Sequence, residues 1–150
     1  EFEAQFGSSG VEPGQFLRPQ GLMIDGEELW VADAMNHRIQ IFDISTKTPR
    51  LIGLWGELGR ERGQMAMPYG IDRMSDGTII VCEYQNARVQ HFDRDGNSLG
   101  ILASLGHEPG QLRDPWGLAV DSKDRIHVLD SYSNRVQRFP RPRWDVQPIS

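Results

Sequence analysis

One pair of sequence blocks occurs three times in this chain, and that periodicity limits the fold more than any other feature. The first block reads Pro13-Gly14-Gln15-Phe16-Leu17-Arg18-Pro19-Gln20-Gly21-Leu22, then Arg62-Gly63-Gln64-Met65-Ala66-Met67-Pro68-Tyr69-Gly70-Ile71, then Pro109-Gly110-Gln111-Leu112-Arg113-Asp114-Pro115-Trp116-Gly117-Leu118. Its second proline returns at 19, 68 and 115. The second block runs Asp33 to Phe42, Glu83 to Phe92 and Asp130 to Phe139, each with an Arg-[Ile/Val]-Gln-x-Phe core. A period of 20–50 residues signals a solenoid, a propeller or another array of like units.

Each repeat divides into short apolar runs separated by turn residues. In the third repeat the runs are Gly117–Val120, Arg125–Asp130 and Val136–Phe139, split by Ser122-Lys123-Asp124 and by Ser131 to Asn134. Outer runs follow at Leu51–Trp55 and Leu99–Leu102. Alternation and turn chemistry of this kind predict strands. No stretch keeps a 3.6-residue apolar period, so little helix is expected. Four antiparallel strands per repeat describe one blade of a β-propeller. The expected architecture is all-β, with three four-stranded antiparallel blades over about 7–55, 56–105 and 106–147. Residues 1–6, with Phe2 and Phe6, are expected to be the outer strand of a preceding blade, and Trp144 to Val146 the last outer strand of the third.

Composition agrees with a turn-rich fold. Glycine (16) and proline (9) are abundant in 150 residues, with 38% hydrophobic and 25% charged residues. A single cysteine excludes a disulfide framework and a four-cysteine zinc site, and is in keeping with a secreted or periplasmic chain. No apolar run approaches the roughly 18–20 residues of a membrane-spanning helix. The first residue is Glu1, which reads as a processed N-terminus or as one piece of a longer protein.

The blocks Pro-x-Gly-[Leu/Ile], Val31-Ala32-Asp33 and Asn36-His37-Arg38-Ile39-Gln40-Ile41-Phe42 resemble the NHL repeat, over about residues 2–140. The resemblance implies a propeller, usually of six blades, of which three repeats are half. Three readings stay open: a piece of a six-bladed propeller, two chains closing one ring as a homodimer, and an open array whose faces something else covers.

Most repeated residues read as scaffold. Pro19, Pro68 and Pro115 suit the first position of an inner strand. Gly21, Gly70 and Gly117 permit close backbone approach near the axis. Asp33, Glu83 and Asp130 stand five residues before Arg38, Arg88 and Arg135, as carboxylate–guanidinium pairs across a turn. Asn36 and Asn86 are expected to take left-handed φ in those turns.

Function is then expected where the copies differ. The loop before each inner strand and the turn between the second and third strands share one face. There Gln20, Tyr69, Trp116, Met35, His37, Tyr84, Gln85 and Tyr132 vary, and their aromatics favour recognition. The second repeat also departs at Asp72, Arg73 and Met74, two charges on an otherwise apolar strand. These are expected to line the channel or to meet a partner.

The leading reading is a non-catalytic scaffold binding a protein or small ligand on the loop face around the channel. The alternative is part of a propeller enzyme, a lyase or lactonase-like hydrolase, with a metal site in the channel completed by other blades. Four histidines at four inequivalent positions argue against the lyase metal set, while a calcium site using Asp72 stays open. The sequence has no nucleophile elbow and no phosphate loop. The loop-face segments 7–20, 33–38, 56–69, 83–88, 106–116 and 130–135 hold seven arginines against eight carboxylates. That balance weighs against nucleic acid, which wants a basic stripe.

Overall fold

The structure is a computed structural model and describes residues 1–143. The first blade contains β1 (Pro19–Asp25), β2 (Glu28–Asp33), β3 (Arg38–Asp43) and β4 (Arg50–Trp55). The second contains β5 (Pro68–Arg73), β6 (Ile79–Glu83), β7 (Arg88–Phe92) and β8 (Ser98–Leu102). The third shows β9 (Pro115–Val120), β10 (Ile126–Asp130) and β11 (Arg135–Phe139). All pairs are antiparallel neighbours in chain order, giving two four-stranded sheets and one three-stranded sheet. The expected last strand at Trp144–Val146 lies outside the described residues. A 3₁₀ turn at Ala34–Asn36 is the one helical element among the described residues.

The blades stack face to face, with inner strand β5 against both β1 and β9. The sheets do not close into a ring. Two cores fill the two junctions. Met23, Trp30, Ala32, Ile39 and Ile41 of the first blade meet Met65, Ile71, Ile79, Val81 and Phe92 of the second. Ile80, Cys82 and Val89, on the second blade's other face, meet Leu112, Ile126 and Val128 of the third. Along the strands of the second blade, residues alternate between the two junctions, as a sheet buried on both faces requires. Burial of this kind, at about 25 cal/mol per Å² of apolar surface, is the main force joining blade to blade.

The repeated glycines confirm close approach at two positions and part from expectation at the third. A Cβ on Gly21 would lie 2.2 Å from the Tyr69 carbonyl oxygen, and one on Gly70 would lie 2.7 Å from the Leu118 nitrogen. A Cβ on Gly117 would meet nothing within 4 Å. Register explains the contrast. Gly21 aligns with Ala32 and Ile39, and Gly70 with Cys82 and Val89, all fully buried at a junction. Gly117 aligns with Leu129 and Val136, which are 45% and 65% exposed. The third blade therefore presents to solvent the row that the other two bury. On the far side of the first blade, Leu22 and Ile24 are exposed in the same way.

The polar repeat residues form a bracket at one end of every blade. Each carboxylate faces its arginine across the turn, with Arg Nε–O distances of 2.8, 2.7 and 3.0 Å at Asp33–Arg38, Glu83–Arg88 and Asp130–Arg135. The remaining guanidinium donors reach backbone carbonyls of the lead-in loop. Arg88, for example, donates to the carbonyls of Arg60, Glu61 and Gln64. Buried Gln40 and Gln90, with Gln137 in the third copy, accept from the Gly14, Gly63 and Gly110 N–H groups at 2.8 Å. Their amides donate to the carbonyls of Gln15, Gln64 and Gln111. Buried polar groups must be paired, and here the pairing folds each lead-in loop rigidly over its blade.

The asparagines differ from expectation. Left-handed φ falls on His37 (53°), Ala87 (50°) and Asn134 (53°), one position later than Asn36 and Asn86. Asn36 and Asn86 instead spend their amides on the Gly10 and Gly59 carbonyls and on Asp33 and Glu83. Phe2–Phe6 joins no ladder with the described strands of this chain. Phe6 lies 5.0 Å from the Phe42 ring and 6.4 Å from Phe16, over the first blade's outer flank.

Candidate functional site

The residue between proline and glycine is set apart in every blade. Pro19 opposes Asp33 and Gly21 opposes Ala32, so Gln20 has no cross-strand partner. Tyr69 and Trp116 are skipped in the same way. A bulge re-aims the side chain it frees, and the three bulges sit at the end of the blades that carries the bracketed loops. This is the face expected to vary.

Three of the expected aromatics come together there. Tyr69 and Tyr84 stack at 4.7 Å and 16°. Trp116 stands edge-on to both, at 5.1 and 5.7 Å. Tyr69 is buried, Tyr84 half-buried, and Trp116 48% exposed. Edge-on and stacked pairs add roughly 0.5–1.5 kcal/mol each beyond the area they bury. The cluster is therefore preorganised, with the indole as its open edge. Burial, then the neighbouring Tyr84, holds the Tyr69 hydroxyl above the ordinary phenol range.

The other candidates occupy separate places. Tyr132 is exposed and lies under Arg113, with the guanidinium 4.5 Å from the ring centroid. Gln20 and Met35 are exposed on the first blade's rim. His37 is used inside the structure: its Nδ1 accepts the Met67 N–H at 3.0 Å, tying the first blade's turn to the second blade. Burial lowers the His37 pKa, with Asp33 opposing.

Asp72 and Arg73 are not part of this group. They end β5 at the opposite end of the blade from Pro68 and the bracketed loops. Asp72 accepts the Arg73 N–H at 2.8 Å through Oδ1 and the Val120 N–H at 2.7 Å through Oδ2. The Arg73 side chain lies 3.5 Å from Asp25. The two charges thus tie the second blade to the third and to the first, and their partners come from neighbouring inner strands that sequence spacing does not reveal. Both Asp72 oxygens take backbone donors, and among the described residues no three His, Cys, Asp or Glu side chains gather as metal ligands. Cys82 is buried, its thiol pushed up to about 12 by desolvation. It accepts from the Gly70 N–H and faces the Pro115 carbonyl.

A groove of about 560 Å³ opens on the loop face between the second and third blades, beside the aromatic cluster. Tyr84, Gln85 and Ala87 line it from one blade, Leu105, Arg113 and Asp114 from the other, and Arg60 stands at its rim. No sequence reading anticipated this groove. The signal that could have found it is the replacement of His37 by Ala87 at the same turn position.

Comparison with known proteins follows the fold. The NHL repeat profile matches residues 16–42 and 112–139. The stretch between them holds the divergent Asp72-Arg73-Met74. The chain is similar to Protein brain tumor of Drosophila melanogaster, 38% identical over 84 residues, which cover 55% of this chain and 8% of that protein. It is also similar to the B-box type zinc finger protein ncl-1 of Caenorhabditis elegans, 30% identical over 140 residues, covering 65% of this chain and 16% of that protein. The chain thus spans less than a fifth of either relative. Among solved structures, the WD40 β-propeller domain of Doa1 superposes with a TM-score of 0.62 at 17% identity, over 83% of this chain and 37% of that one. That likeness is one of fold alone.

Proposed function

From the premise that this is a chain of NHL repeats, we propose that it acts as a non-catalytic propeller scaffold. It holds a protein partner on the loop face, with Trp116, Tyr84 and Tyr69 as the anchor. One observation carries this reading. The repeated polar groups of that face are spent on the bracket, whereas the bulged position leaves an indole 48% exposed against two packed rings. Aromatic anchors in preformed clusters dominate protein interfaces.

The test places a photo-reactive amino acid at Trp116 in the full-length protein, and at exposed Asp95 in a turn at the opposite end as control. Cross-links to a discrete protein at 116 and not at 95 support the reading. Equal labelling at both ends overturns it.

A second reading concerns the open flanks. Leu129 and Val136, in register with Gly117, on one side and Leu22 and Ile24 on the other are exposed copies of rows buried elsewhere. Two copies joined head to tail in a closed two-fold ring would cover both flanks of each copy. Sedimentation of the chain as a dimer supports this, and a monomer at micromolar concentration excludes it.

A further inference from the structure

The two blade junctions differ at one turn residue, and the difference opens the loop-face groove. At the first junction His37 reaches across and accepts the Met67 N–H. At the second, the same turn position is Ala87, with the same left-handed φ (50° against 53°). Asp114 stands where Met67 stood, and its N–H turns to Asp130 instead, at 3.3 Å. The space an imidazole fills at one junction is left unfilled at the next. Buried Ala87 forms its floor.

The lining has a distinct chemistry. Arg88 is consumed by Glu83 and three carbonyls. Arg60 is exposed and makes no ion pair among the described residues. Arg113 gives one N–H to His107 at 2.8 Å and stacks on Tyr132, which leaves most of its five donors available. Tyr84 and exposed Leu105 supply apolar walls, and Asp114 and Gln85 add acceptors. We propose that this groove receives an extended acidic peptide segment, its carboxylates on Arg60 and Arg113 and its apolar side chains against Tyr84 and Leu105. Guanidinium pairs with carboxylate in matched planar geometry. A peptide also offers backbone N–H donors to Asp114 and Gln85, whereas an RNA backbone would bring phosphates against the Asp114 carboxylate. The inference rests on the loop-face reading and names the chemistry of the partner at that face.

Fluorescence anisotropy with labelled (Glu-Tyr)₄ tests it, using the full-length protein with (Lys-Tyr)₄ and octauridylate as comparison probes. Binding is expected for the acidic peptide, with at least a tenfold loss in Arg60→Glu and in Ala87→His. The latter restores the residue found at the first junction, at a φ that histidine already adopts there. Arg60→Glu is a surface change and keeps the test decisive if Ala87→His alters folding. Equal binding of both peptides, tighter binding of octauridylate, or unchanged affinity in Arg60→Glu overturns the proposal. Retained cross-linking at Trp116 alongside such a result means that only this inference fails. Loss of site-selective cross-linking means that the loop-face reading fails with it.

Discussion

Gly21 and Tyr69 meet backbone to backbone: a Cβ on the glycine would stand 2.2 Å from the tyrosine carbonyl oxygen. No rotamer change relieves a clash with backbone, so the inner strands would have to separate. Gly21→Ala and Gly70→Ala are therefore expected to destabilise the chain by about 1–3 kcal/mol, the usual cost of overpacking. Gly117→Ala, with nothing within 4 Å, should change stability by less than about 0.5 kcal/mol. Urea midpoints of the three variants check the order. If a ring closes on the third blade, Gly117→Ala should also weaken the dimer, which sedimentation would read separately.

The carboxylate brackets should not be equally costly to break. Glu83 is fully buried and its partner Arg88 nearly so, whereas the Arg135 side chain in the third blade is 27% exposed. Removing one member of a buried pair strands the other, at about 3–5 kcal/mol. Arg88→Ala is expected near that range. Arg135→Ala should cost less: Asp130 is itself fully buried, but the guanidinium over it is partly exposed, so its removal opens that carboxylate to water. Thermal melting of both, side by side, checks the ranking, and equal losses would mean that burial does not set the cost.

Much of the fold is legible in residue order, and the reasons are local. Proline, glycine and the Arg-x-Gln-x-Phe core recur because each blade repeats the same turn and the same bracket. The strands follow from alternation and turn chemistry. What residue order hides is geometry between blades. The bulge that frees Tyr69 and Trp116 depends on a register shift. Asp72 looks unpaired along β5 until Val120 of the next blade arrives 2.7 Å away. Asn36 looks like the left-handed residue, yet its amide is worth more as a donor to Gly10 and Asp33, and the positive φ passes to His37. The groove at Ala87 is a difference between junctions: the change from His37 to Ala87 stands in the residue order, but the cross-junction Met67 N–H that the imidazole reaches does not.

The inter-blade bond of His37 makes stability depend on pH. Its Nδ1 must be unprotonated to accept from Met67, and burial lowers its pKa. Burial lowers that of His91 as well. The unfolded chain thus binds these protons more readily than the folded one. The stabilisation is complete above the ordinary imidazole value of about 6.5 and is lost as pH falls below it. Carboxylates such as Asp76 and Asp93, held below their usual range, lose their share only in stronger acid. The urea midpoint is expected to fall between pH 7 and pH 5, and less steeply in His37→Gln, whose amide oxygen accepts at any pH. A pH-independent midpoint in that window would remove His37 as the cause.

Asp72 offers a test confined to one amide. Its two oxygens receive the N–H groups of Arg73 and Val120, the second across the junction to the third blade. In Asp72→Asn one oxygen remains, and an amide NH₂ faces the other donor. Whichever way the amide turns, two donors oppose each other, and the longer-range bond is the easier one to lose. The local opening free energy at Val120 should drop by about 1–2 kcal/mol, the cost of an orphaned N–H. Hydrogen exchange at Val120 should then quicken by about tenfold or more, with Val128 in the same blade as internal control. Equal acceleration at Val120 and Val128 would show that the whole blade had loosened. Acceleration at Val120 alone would show that the carboxylate holds one inner strand to the next.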